Sequence, residues 1–194
     1  MRIDRIEASK HKRGRVLVFL ADGSLLKVTE QELLTFGLRS GDELDEETLT
    51  RLKEAAGVSN IKTMAADLVG RRAMSRRDLE RKLQEKGASE AEARYAGEWL
   101  EAIGALDDGA YAAALVRHCG DMGYGPRRAR EKLREKGVPQ ELWDEALDEL
   151  PPDGEQIDRF LQSKRHGRSP EDKEKKRLTD ALLRRGFSWG EVRS

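Results

Sequence analysis

Three stretches of this chain read almost alike: RRDLERKLQEKGAS at 76–89, PRRAREKLREKGVP at 126–139 and KKRLTDALLRRGFS at 175–188. The glycines that close them, Gly87, Gly137 and Gly186, lie 50 and 49 residues apart, and Leu83, Leu133 and Leu182 each stand four positions earlier. A repeat of this length is one supersecondary unit that buries its apolar stripe by stacking on its neighbours. The chain is therefore expected to be mainly α, with three tandem three-helix repeats forming an elongated, solenoid-like array. Such an array presents an extended surface, which favours binding over small-molecule catalysis.

Composition agrees with several small modules better than with one thick core. Of the 194 residues, 38% are charged, 37% hydrophobic and 5% aromatic. A single cysteine, Cys119, excludes an internal disulfide framework and suits a reducing compartment. The opening MRIDRIEASKHKRGR has no apolar signal core, and the longest apolar run, VLVFLA at 16–21, is too short to span a bilayer. The expectation is a cytoplasmic monomer with no membrane partner.

Residues 1–57 differ from the rest. Apolar, β-branched stretches at 2–9 and 15–21 flank the basic turn KHKRG, and Ala-Asp-Gly at 21–23 leads into SLLKV at 24–28. Asp-Gly between apolar runs is a strong hairpin signal, so a small β-meander is expected. Thr29-x-x-Glu32 has the form of a capping box for a helix stopped by Gly37, and Asp45 can cap a helix over 46–56. The basic tip of Lys10, His11, Lys12, Arg13 and Arg15 can grip phosphate, although such tips are usually just solvated.

The modules are expected at 58–106, 107–152 and 153–194. The first has helices at 60–72, 76–86 and 90–103, the second and third of them capped by Ser75 and Ser89. The second has helices at 108–121, 126–136 and 140–150, with Pro126 and Pro139 as first-turn prolines. In the third, helices near 155–166 and 171–185 precede the stub SWGEVRS. Leu79 with Leu83, Ala129 with Leu133 and Leu178 with Leu182 form one narrow apolar stripe per module. Trp99, Leu100 and Ile103, then Leu142, Trp143, Ala146 and Leu150, are expected to supply the facing walls.

Charge is segregated, although 37 basic and 37 acidic residues cancel overall. Segments 71–86, 127–136 and 173–185 each carry a net charge of plus four, while 140–150 carries minus five. If the modules stack alike, the basic helices form a stripe suited to a phosphate backbone or to an acidic groove on a protein polymer. The bland alternative is a solvated helix face laced by local pairs. Signs of chemistry are lacking. His11, His118 and His166 are scattered, Cys119 points away from His118, and neither a phosphate loop nor a nucleophile elbow occurs. Asp107-Asp108 reads as a helix cap. No catalytic residue, metal or cofactor is expected.

The run LDDGAYAAALVR at 106–117 with GYGPRRAREKLREKGV at 123–138 resembles the central region of the RecX family, bacterial regulators of the RecA recombinase. RRAMSRRDLERKLQEKG at 71–87 is similar to that family's first repeat, KKRLTDALLRRGFSWGEV at 175–192 to its third, and the meander to an N-terminal extension found in some members. The resemblance implies a non-enzymatic inhibitor that binds the RecA filament on single-stranded DNA, or RecA itself, and suppresses ATP hydrolysis, strand exchange and coprotease activity in DNA repair, recombination and the SOS response. Contact with the DNA would be direct or through the filament. It directs attention to Arg71, Arg72, Arg76 and Arg77, to Tyr124, Arg127, Arg128 and Arg130, and to Lys175, Lys176, Arg177, Arg184 and Arg185 as the RecA- or DNA-binding surface. Asp107, Asp108 and Tyr111 also match the family motif and are assigned to capping and inter-helix packing. The rival readings are a helix-turn-helix protein acting directly on DNA and a plain scaffold.

Overall fold

The computed structural model describes residues 1–164 and 172–193; His166, and the parts of the expected helices at 165–166 and 171, lie outside that range. The chain opens with a three-stranded antiparallel sheet of β1 (Ile3–Ala8), β2 (Arg15–Leu20) and β3 (Leu25–Thr29), in the order β1-β2-β3. Alternation decides its faces: Val16, Val18 and Leu20 turn inward with Ile3 and Val28, and pack on Leu38, Leu44, Leu52 and Ala56. The Asp-Gly hairpin forms as its chemistry demands. Gly23 takes φ +83°, and the Asp22 carboxylate accepts from the Ser24 hydroxyl and amide at 2.6 and 2.9 Å. Those bonds, the hydroxyl's foremost, hold the Asp22 carboxyl below its usual value.

Helix α1 (Glu30–Thr35) carries the full capping box of Thr29 and Glu32. Helix α2 (Glu46–Arg71) then departs from the sequence expectation of two helices broken at Gly57. It runs for 26 residues straight through that glycine, which does not adopt the positive φ of a helix stop. A mid-helix glycine costs about 1 kcal/mol, and tertiary bonds offset it. The Arg15 guanidinium, projecting from β2, donates to the Ser59 hydroxyl at 2.9 Å, to the Ser59 carbonyl at 2.5 Å and to the Thr63 hydroxyl. The turn after Gly57 is thus held by a strand residue more than 40 positions away.

Helices α3 (Arg76–Glu85), α4 (Glu90–Ala102), α5 (Asp108–Asp121) and α6 (Pro126–Glu135) follow the sequence reading closely. Ile103 does not join a wall; it lies beyond the end of α4 and is 57% exposed. The expected helix over 140–150 shrinks to a 3-10 turn at Gln140–Leu142 and the short α7 (Trp143–Leu147). Asp148 and Glu149 would place negative charge at a helix C-terminus, against the dipole, and Pro151 forces the preceding residue out of helical geometry. Helices α8 (Asp153–Lys164), α9 (Asp172–Arg184) and α10 (Trp189–Arg193) complete the ten α-helices among the described residues. The stub α10 closes the last core, since Val192 packs on Ile157, Leu182 and Phe187.

The chain falls into two compact units, one of residues 1–71 with 80–100, the other of 72–79 with 101–194. The second holds both later cores: Ala112, Val116, Leu133, Val138 and Ala146 in one, Ile157, Leu182 and Phe187 in the other. Within the first unit, the Lys62 ammonium on α2 lies 5.3 and 5.1 Å from the ring centres of Tyr95 and Trp99 on α4. No described helix is long and apolar enough to cross a membrane.

Candidate interaction surface

Helix α6 sorts its charges by face. Ala129 and Leu133 are buried, and the flanks are laced by Arg128 with Glu131 at 2.6 Å and Lys132 with Glu135 at 2.7 Å. The Lys132 ammonium, donating to Glu135, holds that carboxyl below its usual value. What remains is Arg127, Arg130 and Arg134 at i, i+3 and i+7, which is one helix face. All three are exposed, and their guanidinium groups have no hydrogen-bond or ion-pair partner among the described residues. Arg134 was not singled out in the sequence; its spacing to Arg127 was the available signal.

The other proposed contact residues divide in the same way. Arg71, Arg77, Lys176, Arg177 and Arg184 are exposed and likewise unpaired among the described residues. Arg72 faces Asp78 at 3.6 Å, Arg76 pairs with Glu101 at 2.7 Å, and Lys175 with Asp172 at 3.4 Å. Arg185 serves the fold, donating to the carbonyls of Met122 and Gly123 at 2.9 and 3.2 Å and lying 4.9 Å from the Phe160 ring centre. Tyr124 is half-buried, its amide donating to the Cys119 carbonyl at 2.9 Å. In the register set by the closing glycines, Arg77, Arg127 and Lys176 are equivalent, so each basic helix offers an unpaired cation ten residues before its closing glycine.

Within the second unit α9, α6 and the first turn of α3 meet at their ends. At the close of α9, the carbonyls of Arg185 and Gly186 accept from the amides of Gly125 and Arg127 at 2.8 and 3.2 Å. These are groups that a helix end leaves without intrahelical partners, and the junction satisfies both sets at once while setting opposite dipole ends together. The approach is tight enough to require glycine, since a Cβ on Gly186, whose φ is +94°, would stand 2.5 Å from the Arg128 nitrogen. The end of α6 meets the first turn of α3 in the same manner. A Cβ on Gly137 would lie 3.2 Å from Cβ and Cδ of Arg77, and the Ser75 hydroxyl donates to the Lys136 carbonyl at 2.5 Å.

Ser75 also accepts from the Asp78 amide at 3.1 Å, as its position before α3 predicts. It is fully buried and joins two helix ends. Ser75→Ala is expected to lower stability by about 2 kcal/mol in urea denaturation, combining a lost cap with an orphaned carbonyl. The two aspartates of the LDDG run also divide their labour. Asp107 caps its own helix through the Ala110 amide at 2.9 Å, whereas Asp108 accepts the Arg76 amide at 2.7 Å and so caps α3. Tyr111 packs on the neighbouring core, and its burial, with Asp78 nearby, raises its hydroxyl pKa. Burial likewise raises that of the Cys119 thiol.

Comparison with known proteins places these features in a family. The model of the second three-helix domain of RecX matches residues 107–147, which hold Asp107, Asp108 and all of α6. The regulatory protein RecX of Levilactobacillus brevis is 31% identical over 193 residues, covering 95% of this chain and 71% of the relative. That of Stenotrophomonas maltophilia is 34% identical over 66% of this chain and 80% of its own. A crystal structure of a regulatory protein RecX superposes with a TM-score of 0.71 at 28% identity, over 99% of this chain and 97% of the other. The structure of RecX from Lactobacillus salivarius, 21% identical, shares the fold at a TM-score of 0.63, over 71% of this chain and 93% of the other. The repeated basic helices, their glycine junctions and the crossed Asp107-Asp108 caps therefore stand in a chain that belongs to the RecX family of regulatory proteins.

Proposed function

We propose that this protein is a negative regulator of the RecA recombinase that binds the RecA filament on single-stranded DNA and lowers its ATP hydrolysis, strand exchange and coprotease activity. One observation carries the reading: an unpaired cation recurs ten residues before each closing glycine, at Arg77, Arg127 and Lys176, on helices whose ends meet. A ten-residue helix advances the chain by about 15 Å, so the surface offers the same charge at intervals to a partner that is itself repetitive. Several weak contacts on a polymer then sum to a strong one. The contact surface in this reading is Arg71, Arg77, Arg127, Arg130, Lys176, Arg177 and Arg184, with Arg134 added. Arg72, Arg76, Arg128, Lys175, Arg185 and Tyr124 lie at its margin. The three-module division at 58–106, 107–152 and 153–194 belongs to the same proposal, as does a monomer in the cytoplasm that acts by binding alone.

Titration into RecA-coated single-stranded DNA, following ATP hydrolysis, tests it. Hydrolysis is expected to fall with added protein and to level off well below its starting rate. Unchanged hydrolysis at saturation refutes the proposal. Salt-steep binding to bare duplex DNA would instead favour the helix-turn-helix reading, which the net charge of minus five over 140–150 opposes.

A further inference from the structure

A half-open cavity of about 560 Å³ lies in the first unit, between the outer face of the sheet and the part of α2 beyond Gly57. Its volume is in the range of small-molecule sites, about 300–1,000 Å³. Two kinds of surface meet there. Leu17, Leu25 and Met64 give an apolar wall, and Lys12, Arg15 and Lys27 give positive charge. Strand register brings the two together, because Leu17 pairs with Lys27 and Arg15 with Thr29, so alternate residues of β2 and β3 share this face.

Arg15 is the unusual member. It is only 7% exposed, yet its guanidinium donates to neutral oxygens alone, those of Ser59 and Thr63. The Glu32 carboxylate stands one hydrogen bond further back, accepting from the Ser59 hydroxyl at 3.3 Å. A buried cation with no carboxylate directly on it is electrostatically under-compensated. An anion entering the cavity supplies what is missing. Lys27 is exposed with its ammonium unpaired among the described residues, and Lys12 is paired with the half-exposed Asp67 at 2.5 Å. Phosphate alone would leave the leucine and methionine wall in water; a ligand with both an anionic and a flat apolar part uses the whole cavity.

We infer that this cavity is a nucleotide site, taking one nucleoside phosphate with its base against Leu17, Leu25 and Met64 and its phosphate toward Arg15, Lys12 and Lys27. The nucleotide is either free or one unit of single-stranded DNA; the chemistry is shared. This inference is independent of RecA binding, because every measurement below omits RecA.

The test is fluorescence anisotropy of a fluorescein-labelled 15-mer of thymidylate, together with methyl NMR spectra of the protein titrated with thymidine monophosphate, thymidine or inorganic phosphate. Thymidine monophosphate is expected to shift the Leu17, Leu25 and Met64 methyls more than thymidine or phosphate does. Lys27→Glu and Lys12→Ala should each reduce that binding at least tenfold, with unchanged circular dichroism and melting. Arg39→Glu, the same charge reversal on an exposed residue of the same unit that does not line the cavity, should leave it within twofold. If the strand is the source, the 15-mer binds at least tenfold tighter than the monophosphate, and the slope of log K against log salt falls by about one in Lys27→Glu. If the free nucleotide is the source, the two ligands bind alike, and the site stands. Phosphate shifts equal to those of the monophosphate, or no shift with either ligand, or binding insensitive to both lysine variants, would overturn the inference.

Discussion

Gly186→Ala is expected to lower the unfolding free energy by about 2–5 kcal/mol, while Gly87→Ala lowers it by only about 1–2 kcal/mol. Both glycines close a basic helix with nearly the same backbone, φ +94° and +96°. A left-handed conformation costs a non-glycine residue roughly 1–2 kcal/mol, and both variants incur it. They differ in surroundings. Nothing lies within 4 Å of a Cβ built on Gly87, whereas at Gly186 the methyl would overlap the backbone nitrogen, Cα and Cβ of Arg128. Backbone cannot swing aside as a side-chain tip can, and such overpacking adds about 1–3 kcal/mol. The Arg127 amide bond to the Gly186 carbonyl and the fully buried Phe187 lie at the same junction, so the damage would reach the last core. Urea denaturation of the two variants beside the wild type gives the comparison. Equal losses would show that the junction between α9 and α6 contributes nothing beyond backbone strain.

Arg127→Glu/Arg130→Glu is expected to weaken inhibition of RecA-filament ATP hydrolysis by about 30–100-fold, a difference of about 2–3 kcal/mol, while the melting temperature moves by no more than about 2 °C. These arginines suit the purpose because both are exposed and unpaired among the described residues. Reversing them removes no hydrogen bond or ion pair among the described residues. Arg128 would be a poor choice, since a glutamate there would face Glu131, its present ion-pair partner. Arg185 would be poorer still, because its guanidinium holds the carbonyls of Met122 and Gly123. Inhibition curves at fixed RecA and DNA, with thermal melts of the same samples, decide the matter. Full inhibition by the double variant would remove this face of α6 from the contact surface. A melting loss as large as the functional loss would make the arginines structural.

The local elements were legible because local chemistry suffices for them. The hairpin at Asp22-Gly23, the caps at Thr29, Ser75, Ser89 and Asp107, and the first-turn Pro126 each need only residues within four positions. The buried stripe of Leu83, Leu133 and Leu182 followed from helical spacing in the same way. Gly57 misled because a glycine stops a helix only if nothing holds the next turn, and here Arg15 does. The 140–150 segment misled because its apolar spacing was helical while its charges and following prolines were not.

The candidate surface was half legible. Counting charge found the three basic segments, but counting cannot tell a cation in an ion pair from one facing solvent. That distinction separated Arg127 and Arg130 from Arg128, brought in Arg134 and gave Arg185 to the fold. The cavity beside Arg15 was legible only as a basic hairpin tip, because its other wall comes from a helix that the sequence reading had broken in two.

The sequence by itself determined the repeat, its register, the segregation of charge and the family, since each depends on residue identity and spacing along the chain. The tertiary structure alone decided that the glycines ending α6 and α9 are seats for the first turns of α3 and α6. The positive φ of those glycines was predictable from helix-capping chemistry. Their need to stay bare comes from atoms of another helix a few ångströms away, and the neighbours that matter most there are not neighbours in sequence.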